Sequence, residues 1–191
     1  SVRTGEPAPD HAFGQPVFEY LAAHPEAARY YDGGMTGLNA ALLPAIVAAY
    51  DFTRFGRIVD VAGGHGSLHA AVLERVPHAE GVLLDLPHVA AVARETLASR
   101  GFGSRAQAIA GSMFEAVPAR GDAYLLKWIL HDWDDAACTA ILARIRAAAP
   151  DHARLLVIER VLPARASASL PVRTMMMADL LMMIHLTGRE R

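Results

Sequence analysis

The sequence predicts an α/β fold in which a parallel sheet has helices on both faces. Two observations support this prediction. From Arg57 onward, short apolar runs alternate with helical segments, and the links between them are short. The first apolar run also ends in a glycine-rich turn, Gly63–Gly66. Parallel strands need crossover connections, which the intervening helices supply, and such crossovers are right-handed.

Residues 1–56 are predicted to be a helical lead-in to this sheet. The glycine pair Gly33-Gly34 is expected to separate two of its helices, because glycine is a poor helix former. The last helix is apolar nearly all round and is therefore predicted to be buried. The expected helices are Pro16 to about His24, Glu26–Tyr31 and Asn39–Tyr50.

Residues 57–191 are predicted to form the sheet and its covering helices. Each strand is a short apolar run, as expected for a strand buried on both faces. Pro77 and Gly101 mark the ends of two helices. The expected strands are Arg57–Val61, Gly81–Asp85, Ala106–Ala110, Asp122–Leu126 and Arg154–Glu159, and the expected helices are Ser67–Val76, His88–Arg100, Asp134–Ala149 and Pro171–Leu186.

Composition narrows the range of partners. The 191 residues are 53% hydrophobic and 20% charged, which is typical of a globular chain. A net charge of −2 argues against a nucleic-acid or anionic-membrane partner. The single cysteine, Cys138, excludes an internal disulfide and fits a cytoplasmic protein. We expect no signal peptide, because Ser1–Asp10 is polar, and no membrane span, because the longest apolar stretch is too short.

The glycine turn after the first strand is the first candidate ligand site. In open parallel sheets, ligands bind at the carboxyl ends of the strands, and glycine lets the backbone approach a ligand closely. Asp85, at the end of the second strand, can accept hydrogen bonds from the two hydroxyls of a ribose. A nicotinamide dinucleotide would need the same two features, but the turn lacks a G-x-G-x-x-G pattern.

The segments that follow the later strands contain further motifs that indicate the kind of ligand. In order along the chain they are Gly111-Ser112-Met113-Phe114, Leu126-Lys127-Trp128-Ile129-Leu130-His131-Asp132-Trp133, Val157-Ile158-Glu159-Arg160-Val161-Leu162-Pro163 and Gly188-Arg189-Glu190-Arg191. With the glycine turn, these segments make the chain, from about His11 to its last residue, resemble the plant caffeic acid and flavonoid O-methyltransferases and their bacterial natural-product relatives. The resemblance implies a Rossmann-like class I methyltransferase core that binds S-adenosylmethionine and releases S-adenosylhomocysteine.

The resemblance implies a role for each matched residue. His131 matches the catalytic base, and Glu159 and Glu190 match the two acids that orient it. Lys127 matches a lysine that contacts the cofactor, in agreement with its being the single lysine among 18 basic residues. The other implied cofactor residues are Ala62, Gly63, Gly64, Asp85, Leu86, Ser112 and Met113, and the implied acceptor residues are Met35, Trp128 and Met182.

The chemistry of methyl transfer agrees with these roles. A phenol, with a pKa near 10, is mostly protonated at neutral pH, so a base assists its attack on a sulfonium methyl group. Histidine can accept that proton at pH 7, and a carboxylate on its other ring nitrogen fixes the tautomer. We therefore expect methylation of a hydroxyl, phenolic in the simplest case, on a small aromatic or polyketide natural product.

Other interpretations of these residues stay open at this level. His131-Asp132-Trp133 could be a helix cap, with Asp132 capping and His131 exposed. The methionines near Met182 could simply pack a core. His65 and His69 have the spacing of a metal pair, but we expect no metal because no third ligand lies nearby in the sequence.

The chain also departs from the family pattern. Ala62 stands where the family has the first of three glycines, and Ser112 replaces an acid that contacts adenine. The winged-helix domain that makes the family's homodimer and the last two of its seven strands are expected to be absent. Two alternative functions therefore stay open: a relative that retains the cofactor but catalyses hydroxylation or decarboxylation, and a non-catalytic cofactor-binding module.

Overall fold

A computed structural model describes residues 3–190, with the side chains of Leu38 and Asn39 excepted. Arg191, part of the last matched motif, lies outside the described residues. Two 3₁₀ turns, Phe52–Arg54 and Leu130–Asp132, lie among the regular elements. The elements are α1 (Ala8–Phe13), α2 (Val17–Ala23), α3 (Pro25–Ala49), β1 (Arg57–Val61), α4 (Ser67–Arg75), β2 (Glu80–Asp85), α5 (Pro87–Ser99), β3 (Ala106–Ala110), β4 (Ala123–Lys127), α6 (Asp135–Ala148), β5 (Arg154–Ile158) and α7 (Leu170–His185).

The five strands form one sheet in the order β3-β2-β1-β4-β5. The pairs β1–β2, β1–β4 and β2–β3 are parallel, with Ile58 opposite Gly81 on one side and Ala123 on the other. The chain moves outward from β1 to β3 and then returns to β4, so its direction reverses between β1 and β4. Ligands of doubly wound sheets bind at such a reversal, at the carboxyl ends of the strands. The predicted α/β fold is confirmed.

The centre of the sheet is apolar because its strands are covered on both faces. Ile58, Val59 and Leu125 are fully buried, and each such side chain stabilises the fold by about 1.5–3 kcal/mol. Gly101, at φ 84°, follows α5 in the left-handed conformation that commonly ends helices. The predicted strands agree with the observed ones to within a residue at each end.

The prediction of two separate helices, Glu26–Tyr31 and Asn39–Tyr50, is wrong. A single helix, α3, runs through Gly33 and Gly34 and also contains Pro44. Glycine costs a helix about 1 kcal/mol, but it keeps its backbone N–H and causes no clash. Hydrogen bonds can therefore continue through the pair, and the many alanines of α3 favour the helix on both sides.

The chain forms two compact units, each of which is described separately. One contains Arg29–Leu126 and Ala140–Val157, and so holds most of the sheet with the glycine turn. The other contains the residues up to Ala28, Lys127–Thr139 and the residues from Ile158 on. Within residues 3–190, none of the helices combines the length and the hydropathy needed to cross a bilayer.

Candidate active site

The glycine turn after β1 is tightly folded against β2. The backbone N–H of Ala62 donates to the carbonyl of Leu84 at 2.8 Å. A Cβ on Gly63 would lie 2.7 Å from the Asp60 carboxyl carbon and 2.8 Å from a Leu83 methyl, so only glycine fits there. Ala62 has a φ of 55°, a left-handed conformation that costs a non-glycine residue about 1–2 kcal/mol. The turn is therefore built for close approach, at some cost in strain.

Asp85 holds this turn to the end of β2. One carboxylate oxygen accepts the N–H of Gly64 at 2.8 Å, and the other accepts the N–H of Leu86 at 2.7 Å. Burial is the main cause of a raised pKa for Asp85, opposed by these two hydrogen bonds. Both oxygens keep lone pairs for further donors, so a ribose could bind without displacing the backbone.

Ser112 and Met113 follow β3, where the sequence predicts contacts with adenine. The hydroxyl of Ser112 accepts the N–H of Phe114 at 3.3 Å, and both Ser112 and Met113 are partly buried. The serine therefore closes its own turn. By resemblance, the family has an acid at this position. An aspartate could make the same turn and also contact adenine, whereas Ser112 lacks the carboxylate for that contact.

His65 and His69 do not form a metal pair. His65 lies in the glycine turn, with Nε2 3.3 Å from an oxygen of Asp32 and Nδ1 3.5 Å from the hydroxyl of Thr36. His69 is completely buried, with Nδ1 3.8 Å from an Asp60 oxygen, and burial lowers its pKa to about 4. The two rings therefore have different polar neighbours, and each histidine has a structural contact of its own. The Asp32–His65 contact was missed by sequence reasoning.

His131 lies at the centre of a buried group that also contains Asp132, Glu159 and Glu190, here named the histidine cluster. Its Nδ1 is 3.2 Å from Oε2 of Glu190 and 3.6 Å from Oε2 of Glu159. Its Nε2 is 3.3 Å from Oδ1 of Asp132. His131 is only 6% exposed and Glu190 only 3%. The structure therefore brings together the three residues that the resemblance identifies as the base and its two acids.

Asp132 is a member of the histidine cluster whose position was not predicted. The alternative interpretation, in which Asp132 caps a helix and His131 is exposed, is wrong. Asp134 caps α6, because its carboxylate accepts the N–H of Ala137 at 2.8 Å. Burial raises the pKa of Asp132 well above its usual value, and the charges of Glu159 and Glu190 raise it further.

Backbone contacts hold the histidine cluster in place. Oε1 of Glu159 accepts two backbone N–H groups, from Ile129 at 3.0 Å and Leu130 at 2.9 Å, and so fixes the loop after β4. The N–H of Glu190 donates to Asp179 of α7 at 3.0 Å. A Cβ on Gly188 would overlap the backbone of His131, so the segment that carries Glu190 packs directly on the base.

Trp128 lies beside the histidine cluster, and two cationic side chains contact its ring. Nζ of Lys127 is 3.7 Å and Cζ of Arg160 is 4.4 Å from the ring centroid. The Trp128 and His131 rings stack with centroids 6.5 Å apart. Trp128 has a φ of 55°, a strained conformation for so bulky a residue, and such strain is concentrated at functional sites.

Arg160 connects this tryptophan to the histidine cluster, a link that sequence reasoning missed. Its Nη1 donates to Oε1 of Glu190 at 3.3 Å while its guanidinium lies over Trp128. The sequence contained one usable signal, since Arg160 directly follows Glu159. Nothing in the sequence indicates, however, that its side chain turns toward Glu190.

The remaining residues singled out in the sequence lie on three helices. Met35 lies on α3 and Met182 on α7, both partly buried. Cys138, on α6, is buried, and its thiol donates to the carbonyl of Leu130 at 3.2 Å. The cysteine thus supports the turn that carries His131.

A doubly wound sheet, a glycine turn backed by an acid on β2 and a buried histidine with carboxylate partners define the class I methyltransferase type of α/β protein. Comparison with known proteins identifies the family. The chain belongs to the O-methyltransferase domain family, whose model matches residues 1–191.

Curated relatives include bacterial enzymes of natural-product formation. The chain is 44% identical over 163 residues to a phenazine O-methyltransferase of Lysobacter antibioticus, covering 85% of this chain and 48% of that protein. It is 43% identical over 194 residues to the O-demethylpuromycin O-methyltransferase of Streptomyces alboniger, covering 100% of this chain and 51% of the relative. The chain therefore spans about half the length of these relatives.

Solved structures agree with the fold. The mitomycin 7-O-methyltransferase matches with a TM-score of 0.93 at 38% identity, covering 100% of this chain and 55% of the other. An O-methyltransferase of neocarzinostatin biosynthesis, solved with S-adenosylmethionine and 2-hydroxy-5-methyl naphthoic acid, matches with a TM-score of 0.90 at 34% identity, covering 100% and 56%.

Proposed function

We propose that this protein is an S-adenosylmethionine-dependent O-methyltransferase acting on a hydroxyl, phenolic in the simplest case, of a small aromatic or polyketide natural product. The observation that carries the proposal is the buried His131 with Glu190 and Glu159 at its Nδ1. The named relatives act on phenazine, puromycin and mitomycin compounds, which supports this acceptor class.

The proposed cofactor site consists of the glycine turn, Asp85 with Leu86, Ser112 with Met113, and Lys127. Its fit rests on Gly63, where any side chain would collide with Asp60 and Leu83 and so prevent the tight turn, and on the free lone pairs of Asp85. Bound S-adenosylmethionine supplies a methyl group on a sulfonium, with a thioether as the leaving group. A neighbouring family structure solved with this cofactor supports the assignment.

In the proposed mechanism, His131 accepts the hydroxyl proton at Nε2 as the oxygen forms its new bond to carbon. The carbon–sulfur electron pair stays on sulfur, and the histidine later releases its proton to water. The carboxylates of Glu190 and Glu159 face Nδ1 and favour a proton there, so the lone pair remains on Nε2. Asp132 lies 3.3 Å from the same Nε2, and in this mechanism it is therefore next to the acceptor hydroxyl.

Positioning supplies most of the expected rate. Alignment of reacting groups can contribute about 7 kcal/mol or more, whereas a general base contributes about 10²–10⁴-fold. By resemblance, Met35, Trp128 and Met182 contact the aromatic acceptor, and residues 1–56 contribute to its pocket. Residues 57–191 are the proposed cofactor-binding core.

We further propose that the full-length protein is cytoplasmic, has no nucleic-acid or membrane partners, and forms a homodimer through the winged-helix domain that the family resemblance implies. The net charge of −2 supports the absence of nucleic-acid and membrane partners, and the single buried cysteine supports the cytoplasmic location. Analytical ultracentrifugation with and without S-adenosylhomocysteine tests the dimer.

Incubation of the purified protein with S-adenosylmethionine and a panel of phenolic acceptors tests the activity. We expect mass spectrometry to detect a methylated acceptor together with S-adenosylhomocysteine. The panel includes hydroxyphenazines and aminohydroxybenzoates, after the substrates named for relatives. Binding of S-adenosylhomocysteine without turnover of any acceptor would favour a non-catalytic module instead.

A further inference from the structure

Three buried atoms of the histidine cluster face one another without a hydrogen-bonding partner. They are Nδ1 of His131 and the Oε2 atoms of Glu159 and Glu190. The nitrogen is 3.2 Å from one oxygen and 3.6 Å from the other, and each of the three residues has a possible ligand atom within 4.8 Å of the others. Buried polar atoms are normally paired, so this convergence indicates a binding point for a cation.

The second oxygen of each carboxylate is already engaged. Oε1 of Glu159 accepts the N–H groups of Ile129 and Leu130, and Oε1 of Glu190 accepts from Arg160. These contacts fix the direction in which each Oε2 points. Partners of this kind preorganise metal ligands, and their loss typically lowers metal affinity 10–100-fold.

From this geometry we propose that His131, Glu159 and Glu190 form an inhibitory Zn²⁺ site. Zinc binds imidazole nitrogen at about 2.0–2.1 Å and carboxylate oxygen at about 2.0–2.2 Å. Tetrahedral ligands at those distances lie about 3.3–3.5 Å apart, and the two nitrogen–oxygen distances, 3.2 and 3.6 Å, are close to this spacing. The sequence analysis expected no metal because His65 and His69 lack a nearby third ligand, and it did not consider these three residues as ligands.

The charge of the site favours a divalent cation. Two carboxylates face Nδ1, and Asp132 lies on the other side of the ring. Arg160 contacts the outer oxygen of Glu190 and not the Oε2 that faces Nδ1. Mg²⁺ and Ca²⁺ prefer all-oxygen ligand sets, so a site containing imidazole selects zinc over them.

Zinc at Nδ1 would replace the proton that the two glutamates orient. Inhibition of methyl transfer therefore rests on the proposed function, whereas zinc binding does not. We expect zinc to inhibit turnover reversibly and to leave S-adenosylhomocysteine affinity unchanged, because its ligands are distinct from the proposed cofactor residues.

Isothermal titration of the purified protein with ZnCl₂ tests the site. We expect one zinc per chain with a Kd in the micromolar range or below, and at least a 10-fold loss of affinity in Glu159→Gln and in Glu190→Gln. The variant His152→Ala is the matched control, since it removes the exposed His152–Asp122 pair and leaves the histidine cluster intact. MgCl₂ should give no heat of binding at this site.

Two further measurements separate the possible failures. Circular dichroism confirms that each variant is folded, and Co²⁺ bound in place of zinc should give the visible absorption of a tetrahedral complex. Zinc affinity that is equal in the wild type and both glutamine variants, or no binding at all, overturns the proposed site even if methyl transfer depends on His131. Tight zinc binding without inhibition supports the metal site but overturns its inhibitory role and the assignment of His131 as base.

Discussion

Oε2 of Glu190 lies 3.2 Å from Nδ1 of His131, although the whole of α6, β5 and α7 separates them in the chain. Gly188 makes this approach possible, because a Cβ there would overlap the His131 backbone. The contact places a carboxylate beside Nδ1 of the buried imidazole, which favours a proton on Nδ1 and leaves the lone pair on Nε2.

Replacement of His131 by alanine tests the general base. We expect turnover of a phenol to fall about 10²–10⁴-fold, with S-adenosylhomocysteine affinity nearly unchanged. The loss should shrink as pH approaches the phenol's own pKa of about 10, because the acceptor then ionises without help. A pH–rate series on the wild type and the variant measures this.

His152→Ala is the control, because His152 is exposed and its pairing with Asp122 lies outside the histidine cluster. If turnover in His131→Ala falls equally at every pH, His131 positions the acceptor without taking its proton. If folded His131→Ala retains full turnover, the assignment of the base is wrong.

Asp85→Ala tests the cofactor site. We expect the variant to bind S-adenosylhomocysteine about 1.5–3 kcal/mol more weakly, the usual contribution of hydrogen bonds to a charged group. Calorimetry measures the affinity, and Asp151→Ala, at an exposed carboxylate paired with Arg146, is the control. Unchanged affinity in Asp85→Ala would remove Asp85 from the site, and tight binding of NAD alone would overturn the cofactor assignment.

Much of the fold was predictable because its signals are local. Each strand is an apolar run followed closely by a turn or helix signal, so the order of the elements could be derived from the sequence. The break at Gly33-Gly34 was predicted wrongly because low helix propensity at two residues is a weak effect, and a long helix such as α3 can continue through them.

The site was predictable only where a sequence motif identifies a residue. His131, Glu159 and Glu190 were singled out by resemblance, and their convergence follows from the parallel sheet. The contacts of Asp132 with His131 and of Arg160 with Trp128 could not be predicted, because they depend on side-chain direction rather than on spacing.

Ala62→Gly should stabilise the protein. The left-handed φ of 55° costs alanine about 1–2 kcal/mol, which glycine avoids. Glycine also loses more conformational freedom on folding, which offsets part of this gain, so a net stabilisation of about 0.5–1 kcal/mol is expected. Urea denaturation measures it. Ala143→Gly, at an exposed position within α6, should change stability in the opposite direction. A loss of stability in Ala62→Gly would mean that the turn relaxes its strain elsewhere.

Exposed apolar side chains on α7 should make the protein self-associate. Met177, Leu180, Leu181 and Met183 are 58%, 46%, 42% and 43% exposed, and such a patch favours association. We expect Met177→Glu combined with Leu180→Glu to lower the apparent mass in light scattering. Leu142→Glu, at an exposed position on α6, should leave the mass unchanged. A wild-type protein that stays monomeric at high concentration would contradict this prediction.

Asp132→Asn should raise stability at neutral pH but not in acid. Burial, with Glu159 and Glu190 nearby, raises the pKa of Asp132 in the folded protein above its unfolded value of about 3.9. Below about pH 4 the carboxyl is protonated in both states, so its ionisation does not affect folding. As pH rises, the unfolded chain releases this proton first and wild-type stability falls until pH passes the folded pKa. Asparagine has no such proton, so the variant's stability advantage should grow with pH and then level off.

Urea denaturation across a pH series measures the difference in stability, with Asp151→Asn at an exposed carboxylate as the control. An advantage that shrinks or reverses as pH rises would mean that Asp132 is ionised in the folded protein, as the partner of a protonated His131.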